Sequence, residues 1–310
     1  MSDTHHLQWG AETLWQRLTP LLPGLSVEMV ARIDSTNTQL LERARRAGAH
    51  DDAASASTHG RRAGDTQPCL LVAESQTRGR GRQGKPWYST AGASLTFSLS
   101  LPLKPPDWSG LSLAVGIAVA DALDPLGAGQ APRIGLKWPN DLMLLESDGP
   151  GRKLGGILIE TVPVGQRRMA VIGIGLNVLP QALKDLSWGY ACLQEFLPAI
   201  DAPQALAQVA EPLVRLLLDF ERHGFAPLQP RYARRDALLG KPVTTSFAEA
   251  PEGVAEGVDA DGALLLRVGT ARQRITSGEV VSVRLVGDHS GDNSDDDAGD
   301  ASENPEAPAC

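Results

Sequence analysis

Between Ser94 and Leu101 every second residue is apolar: Leu95, Phe97, Leu99 and Leu101 alternate with Ser94, Thr96, Ser98 and Ser100. Successive side chains of an extended chain point to opposite faces, so the pattern predicts a strand with one buried and one polar face. Three further strand-like runs follow: Ile134 to Leu145 (interrupted at Pro139-Asn140-Asp141), Lys153 to Val162, and Met169 to Val178. Short turns rich in Gly and Pro separate them, Ser147 to Gly151 and Pro163 to Gln166. Links this short favour an antiparallel meander.

Helical patterns flank these strands. Ala11 to Leu22 places Leu14, Trp15, Leu18 and Leu22 near one face. Val27 to Ile33 reads as a strand, and Thr36 with Gln39 resembles a capping box opening a helix through Ala47. Cys69 to Ser75 is a short apolar run typical of a buried strand. Ser109 to Leu123 is hydrophobic almost all round, hence a buried helix. From Pro203 to His223 the apolar residues recur at helical spacing. Helices around a mixed, mostly antiparallel sheet make the class α+β. After Leu239-Gly240, short Val-, Thr- and Leu-rich runs split by Asp261-Gly262 and Gly269 predict four or five strands in a small barrel. The expected organisation is 1–238, with a solvated, mobile insertion near 49–68, then 239–287, then an acidic disordered tail over 288–310.

Composition narrows the possible functions. The net charge is −8, and residues 288–310 hold eight acidic residues with no Lys or Arg. The remainder is therefore near neutral, which does not suggest a broad nucleic-acid-binding surface. Three scattered cysteines, Cys69, Cys192 and Cys310, suggest a reducing compartment rather than a disulfide framework. Neither a signal-peptide pattern nor an apolar run of membrane-spanning length is present, so a cytoplasmic location is expected.

The segment Gly79-Arg-Gly-Arg-Gln-Gly-Lys-Pro-Trp87 concentrates chemistry. Its glycines allow close approach to a ligand, and Arg80, Arg82 and Lys85 offer cations suited to phosphate or carboxylate. Trp87 supplies an apolar anchor. Its plainer explanations are a solvated basic turn or a sequence-independent grip on nucleic acid. Asp34-Ser-Thr-Asn37 lies at a strand-to-helix junction, where Ser35, Thr36 and Asn37 either cap the helix or face a small polar ligand. Lys137-Trp-Pro-Asn-Asp141, Lys153-Leu-Gly-Gly156 and Gly173-Ile-Gly-Leu-Asn177 put polar groups into apolar strands. Turn chemistry, packing glycines and a buried ion pair would explain each of these singly.

Taken in order with Gln76, these motifs resemble the signatures of biotin protein ligases, over roughly residues 25–286. The resemblance implies a class II synthetase-like catalytic domain followed by an SH3-like barrel. It also implies a two-step reaction: biotin and MgATP give biotinyl-5′-AMP and pyrophosphate, and a lysine of a biotin carboxyl carrier domain then takes the biotin. By the family pattern Ser35, Thr36, Asn37 and Gln76 hold biotin, together with Gly79, Arg80, Gly81, Arg82, Lys153 and Gly156. Lys85, Trp87, Asn140, Asp141, Lys153 and Asn177 fall on the nucleotide side. Lys153, Arg82 and Asp141 are the implied catalytic residues, with Asp141 also a possible Mg²⁺ ligand or proton acceptor. The implied partner is the carrier protein of acetyl-CoA carboxylase and related carboxylases, with a homodimer also open. The 33 residues before Asp34 are too few for a winged helix-turn-helix, so no operator binding is expected, and with no long apolar run no membrane association is expected either. Alternatives are a lipoate or octanoyl ligase, a single-stranded nucleic-acid binder, and a non-catalytic interaction protein. Against the nucleic-acid binder, residues 241–286 offer Phe247 as their only aromatic.

Overall fold

The computed structural model describes residues 7–51, 66–147, 149, 151–164, 167–181 and 189–283. The acidic tail and most of the expected insertion lie outside the described residues. Twelve strands and five α-helices are seen among those described.

The larger sheet has the order β1-β2-β3-β7-β6-β5-β4. β1 (Ser26–Ile33) and β2 (Cys69–Gln76) run parallel, and every other neighbour pair is antiparallel. The crossover between β1 and β2 carries α2 (Thr36–Asp51) onto one face. There Leu40, Leu41 and Ala44 pack on Leu71, Val162 and Met169. The opposite face meets α1 (Ala11–Leu18), α3 (Leu111–Leu123) and α4 (Ala202–His223) in the main core. α3 is buried nearly all round, as its sequence predicts. α4 opens with a reciprocal cap between Asp201 and Gln204. α1 is shorter than expected, and Trp15 is 46% exposed rather than part of its buried face. The Trp15 indole leaves the core to donate to the Leu25 carbonyl.

Several local expectations are corrected. The run from Ile134 to Leu145 is a hairpin, not one interrupted strand. β4 (Ile134–Lys137) pairs with β5 (Asp141–Leu144), bringing Lys137 opposite Asp141. Pro139 has no N–H for a ladder, so it belongs to the turn, where the Trp138–Pro139 peptide is cis. The cap of α2 is Ser35, whose Oγ accepts from Thr38 N at 3.4 Å, while Gln39 Nε2 reaches Asp34 instead of Thr36. The alternating strand β3 (Ser94–Pro102) has no wet face. Ser94, Thr96, Ser98 and Ser100 are all buried. They are tolerable there because they find partners: Thr96 donates to the Ala73 carbonyl at 2.8 Å, and Ser98 lies between two side chains of α2.

β6 (Arg152–Val164) and β7 (Arg167–Asn177) complete this sheet. Beyond the short helix α5 (Gln229–Ala233) comes the second sheet. It consists of β8 (Pro242–Thr245), β9 (Glu252–Val258), β10 (Leu264–Val268), β11 (Ala271–Ile275) and β12 (Val280–Val283), in the order β11-β10-β9-β8-β12.

The approach to this second sheet is held by a buried guanidinium. Arg235 donates to Asp121 at 2.7 Å, to Asp124 Oδ2 at 2.9 Å and to two backbone carbonyls, those of Ile134 and Asp124. The adjoining backbone covers the outer edge of β4, with Leu136 N donating to the Arg235 carbonyl at 2.7 Å. Asp236 is less well served. Oδ1 accepts from Leu238 N, but Oδ2 is buried with no partner among the described residues. Burial pushes its carboxyl up to about 6, against weaker stabilisation by the Leu238 and Leu239 amides and Lys241. A carboxyl whose folded pKa is raised contributes stability below its unfolded value, and that contribution is lost as pH rises through 6. Asp236→Asn should therefore stabilise the protein by ~1–3 kcal/mol at pH 7.5 and not at pH 4, read from urea unfolding at both pH values. A gain of equal size at pH 4 would assign the effect to something other than ionisation.

Candidate functional site

A cavity of about 570 Å³ opens on the α2 side of the large sheet. Its floor is β6 and β7, and two glycines of β7 make that floor possible. A Cβ on Gly173 would lie 2.2 Å from Asn37 Oδ1, and one on Gly175 would lie 2.4 Å from the Trp87 ring. Neither α2 nor the 79–87 segment could then approach the sheet. Of the residues that the family pattern assigns to biotin or the nucleotide, only Gly79 does not line the cavity. Gly79 is a packing glycine: its added Cβ would meet the Trp87 carbonyl at 2.3 Å.

One end is lined by hydrogen-bonding side chains. Ser35, Thr36 and Asn37 are all buried, carried beneath the loop at the start of α2. Gln76 Oε1 accepts from Thr36 N at 2.7 Å, which leaves the Gln76 amide NH₂ toward the loop. Asn37 is committed within the protein. Its Nδ2 donates to the Leu158 carbonyl and to Glu160, both at 3.1 Å.

The loop is a short hairpin in its own right. Trp87 N donates to the Gly79 carbonyl at 2.9 Å, and Gly81 N to the Lys85 carbonyl at 2.7 Å. Its cations are not left repelling one another. Arg80 pairs with Glu160 at 3.0 Å and donates to Thr38, while Lys85 pairs with Glu279 at 2.5 Å. Arg82 differs, since among the described residues it makes a long 3.4 Å contact to the Gly278 carbonyl. That makes Arg82 the least committed cation of the loop. The Trp87 indole lies over Gly175, and its Nε1 is buried without a partner among the described residues. An orphan donor of this kind costs about 1–3 kcal/mol unless something accepts from it.

Charged groups gather where the hairpin meets β6. Asp141 Oδ1 faces Lys153 Nζ at 2.7 Å, and Oδ2 faces Lys137 Nζ at 3.4 Å. Burial would raise the Asp141 pKa, but the two lysines together outweigh it and hold the carboxyl below its usual range. Burial lowers the pKa of Lys137, against the attraction of Asp141. Lys153 keeps a third of its side chain exposed, with 32% accessible, and is the lysine that can meet a ligand. Asn140 donates to the Ile157 carbonyl at 2.9 Å. Asn177 donates to the carbonyls of Lys153 and Ala191, fixing the backbone that carries Lys153. Gly156 stands across from Asp141, and a Cβ there would find ordinary contact distances.

Both oxygens of Asp141, the residue implied as a Mg²⁺ ligand, face ammonium groups. A carboxyl with a depressed pKa is also a poor proton acceptor, so the geometry makes Asp141 a holder of Lys153.

Sequence reasoning missed Ser98, Glu160 and Glu279. Each lies far along the chain from its partner, and Glu279 is 194 positions from Lys85. Ser98 did carry a signal, as a serine in an alternating strand whose polar face needs partners once covered.

Comparison with known proteins agrees with this geometry. Residues 29–177 match the Biotin/lipoate A/B protein ligase family, and residues 238–282 match the Biotin protein ligase C terminal domain. The bifunctional ligase/repressor BirA of Escherichia coli is 35% identical over 251 residues, covering 79% of this chain and 70% of that protein. The biotin–[acetyl-CoA-carboxylase] ligase of Paracoccus denitrificans is 33% identical over 268 residues, covering 81% and 98%. Among solved structures, biotin protein ligase from Aquifex aeolicus in complex with biotin and ATP aligns with a TM-score of 0.62 at 25% identity, covering 84% of this chain and 99% of that one. No helix among the described residues is long and apolar enough to cross a membrane. With the ordered motifs, the cavity they line and relatives matched over most of their length, the chain belongs to the biotin protein ligase family.

Proposed function

We propose that this enzyme activates biotin with ATP and transfers it to a lysine of a biotin carboxyl carrier domain. The observation that carries the proposal is one cavity shared by two kinds of group. Ser35, Thr36 and Gln76 can hydrogen-bond a cyclic urea, and Arg82 and Lys153 can meet anions. In the first step a carboxylate oxygen attacks the α-phosphorus of ATP, and the bond to pyrophosphate breaks. Two anions must approach each other, so cations held in place beforehand offset their repulsion and the charge of the transition state. Arg82, with a long contact to a carbonyl among the described residues, and Lys153, held from behind by Asp141, suit that task. In the second step the carrier lysine attacks the acyl carbon, an amide forms and AMP leaves. The 79–87 hairpin covers the cavity and would shield the reactive anhydride from water. The Paracoccus relative is named for acetyl-CoA carboxylase, which supports its carrier protein as the acceptor.

The direct test is transfer of labelled biotin to a carrier domain in the presence of ATP. Labelling by lipoate or octanoate in place of biotin would overturn the substrate assignment.

Lys153→Ala should slow adenylation by ~10²-fold or more, on the scale of losing one oxyanion donor. Single-turnover formation of biotinyl-AMP measures this, and a near-normal rate would give Lys153 a structural role only. Arg82→Ala should weaken retention of biotinyl-AMP while still allowing it to form. The released intermediate would then label bystander lysines. Hydrogen exchange across residues 79–87 should slow further when biotin and ATP are added, because Arg82 gains an anion. Equal protection with and without ligands would argue against ligand-driven tightening of the loop.

A further inference from the structure

We infer that Ser98, buried beneath the cavity and outside its lining, fixes Thr36 as a hydrogen-bond acceptor toward the bound ligand. Ser98 is 0% exposed, and its Oγ lies 2.6 Å from both Thr36 Oγ1 and Asn37 Oδ1. One hydroxyl has one proton, so the two short contacts cannot both be donated by Ser98. Asn37 decides which it is. Its NH₂ group faces two acceptors, the Leu158 carbonyl and the Glu160 carboxylate, so the amide cannot be turned round. Glu160 is itself anchored by Arg80. Asn37 Oδ1 is therefore an acceptor only, and Ser98 donates to it. The remaining 2.6 Å contact then requires the Thr36 proton to point at Ser98. Thr36 Oγ1 is left with lone pairs alone for the cavity. Thr36 has one proton for two acceptors, Gln76 Oε1 at 3.2 Å and Ser98 Oγ at 2.6 Å, and the shorter contact takes it.

The chain Glu160–Asn37–Ser98–Thr36 thus gives one wall of the cavity a fixed polarity, suited to a ligand N–H. Ser98 acts through Thr36 and is a positioning residue for ligand specificity. The ligand side of this inference rests on the biotin proposal, since a cyclic urea presents N–H donors. The proton chain itself does not.

A double-mutant cycle separates the two. Unfolding of the ligand-free wild type, Ser98→Ala, Thr36→Val and the double variant should show a coupling of about 3-fold or more in the unfolding constant. Additive losses would overturn the relay whether or not the protein binds biotin. In the second arm, Ser98→Ala should weaken biotin binding about tenfold, the loss of one oriented hydrogen bond, while the KM for ATP changes by less than about 2-fold. Once Thr36 is valine, adding Ser98→Ala should weaken biotin little further. Ser98→Cys, which keeps the shape with a weaker donor, should fall between wild type and alanine, and it serves if the alanine variant does not fold. Wild-type affinity in both Ser98 variants, or equal losses for biotin and ATP, would overturn the specificity role. A wild type that binds no biotin would instead refute the functional proposal, and the unfolding cycle would still decide the relay.

Discussion

A carboxylate almost sealed from water, flanked by two ammonium groups, ties this structure together. Asp141 begins β5, Lys137 ends β4, and Lys153 lies near the start of β6, so the ion cluster forms only when the hairpin docks beside β6. Removing one partner would leave a charge buried without compensation, which is far costlier than losing a surface pair. The arrangement also does chemical work. Lys137 takes the buried side of Asp141, and Lys153 is left on the open side with its ammonium toward the cavity. The cluster therefore positions a cation while neutralising the carboxylate that holds it.

The same economy governs the other end of the cavity. Polar side chains on a covered strand face are expensive unless every proton has a destination. Here Thr96, Ser98 and Asn37 satisfy that demand within the protein, and Thr36 and Gln76 remain to face a ligand. The loop above follows suit, with Arg80 committed to Glu160, Lys85 to Glu279, and Arg82 the least engaged of the three. Glu279 lies just before β12, whose Val280 and Val281 also line the cavity, so the two sheets meet across it.

Much of this was legible in the sequence, and the failures share a cause. The ordered motifs converge on one cavity because strand ends and the α2 junction are brought together by the topology that short links and alternation imply. The buried helices were readable for the same reason, since apolar periodicity reports burial directly. What local patterns cannot report is the partner across space. The alternation of β3 reads as one wet face, yet α2 covers it, and Ser98 joins a hydrogen-bond chain instead of meeting water. Lys137 to Asp141 reads as a break in one strand, since Pro139 stops a ladder without saying that the chain turns back. The basic loop does not show its own counter-charges, because Glu160 and Glu279 lie 80 and 194 positions from the residues they neutralise.

The central claim is that this cavity joins a biotin carboxylate to the α-phosphate of ATP. Exchange of labelled pyrophosphate into ATP, with no acceptor protein present, tests it most directly. Exchange that depends on biotin, and that lipoate and octanoate do not support, is the expected result. Exchange driven by lipoate or octanoate but not by biotin, or no exchange with any of the three, would contradict it.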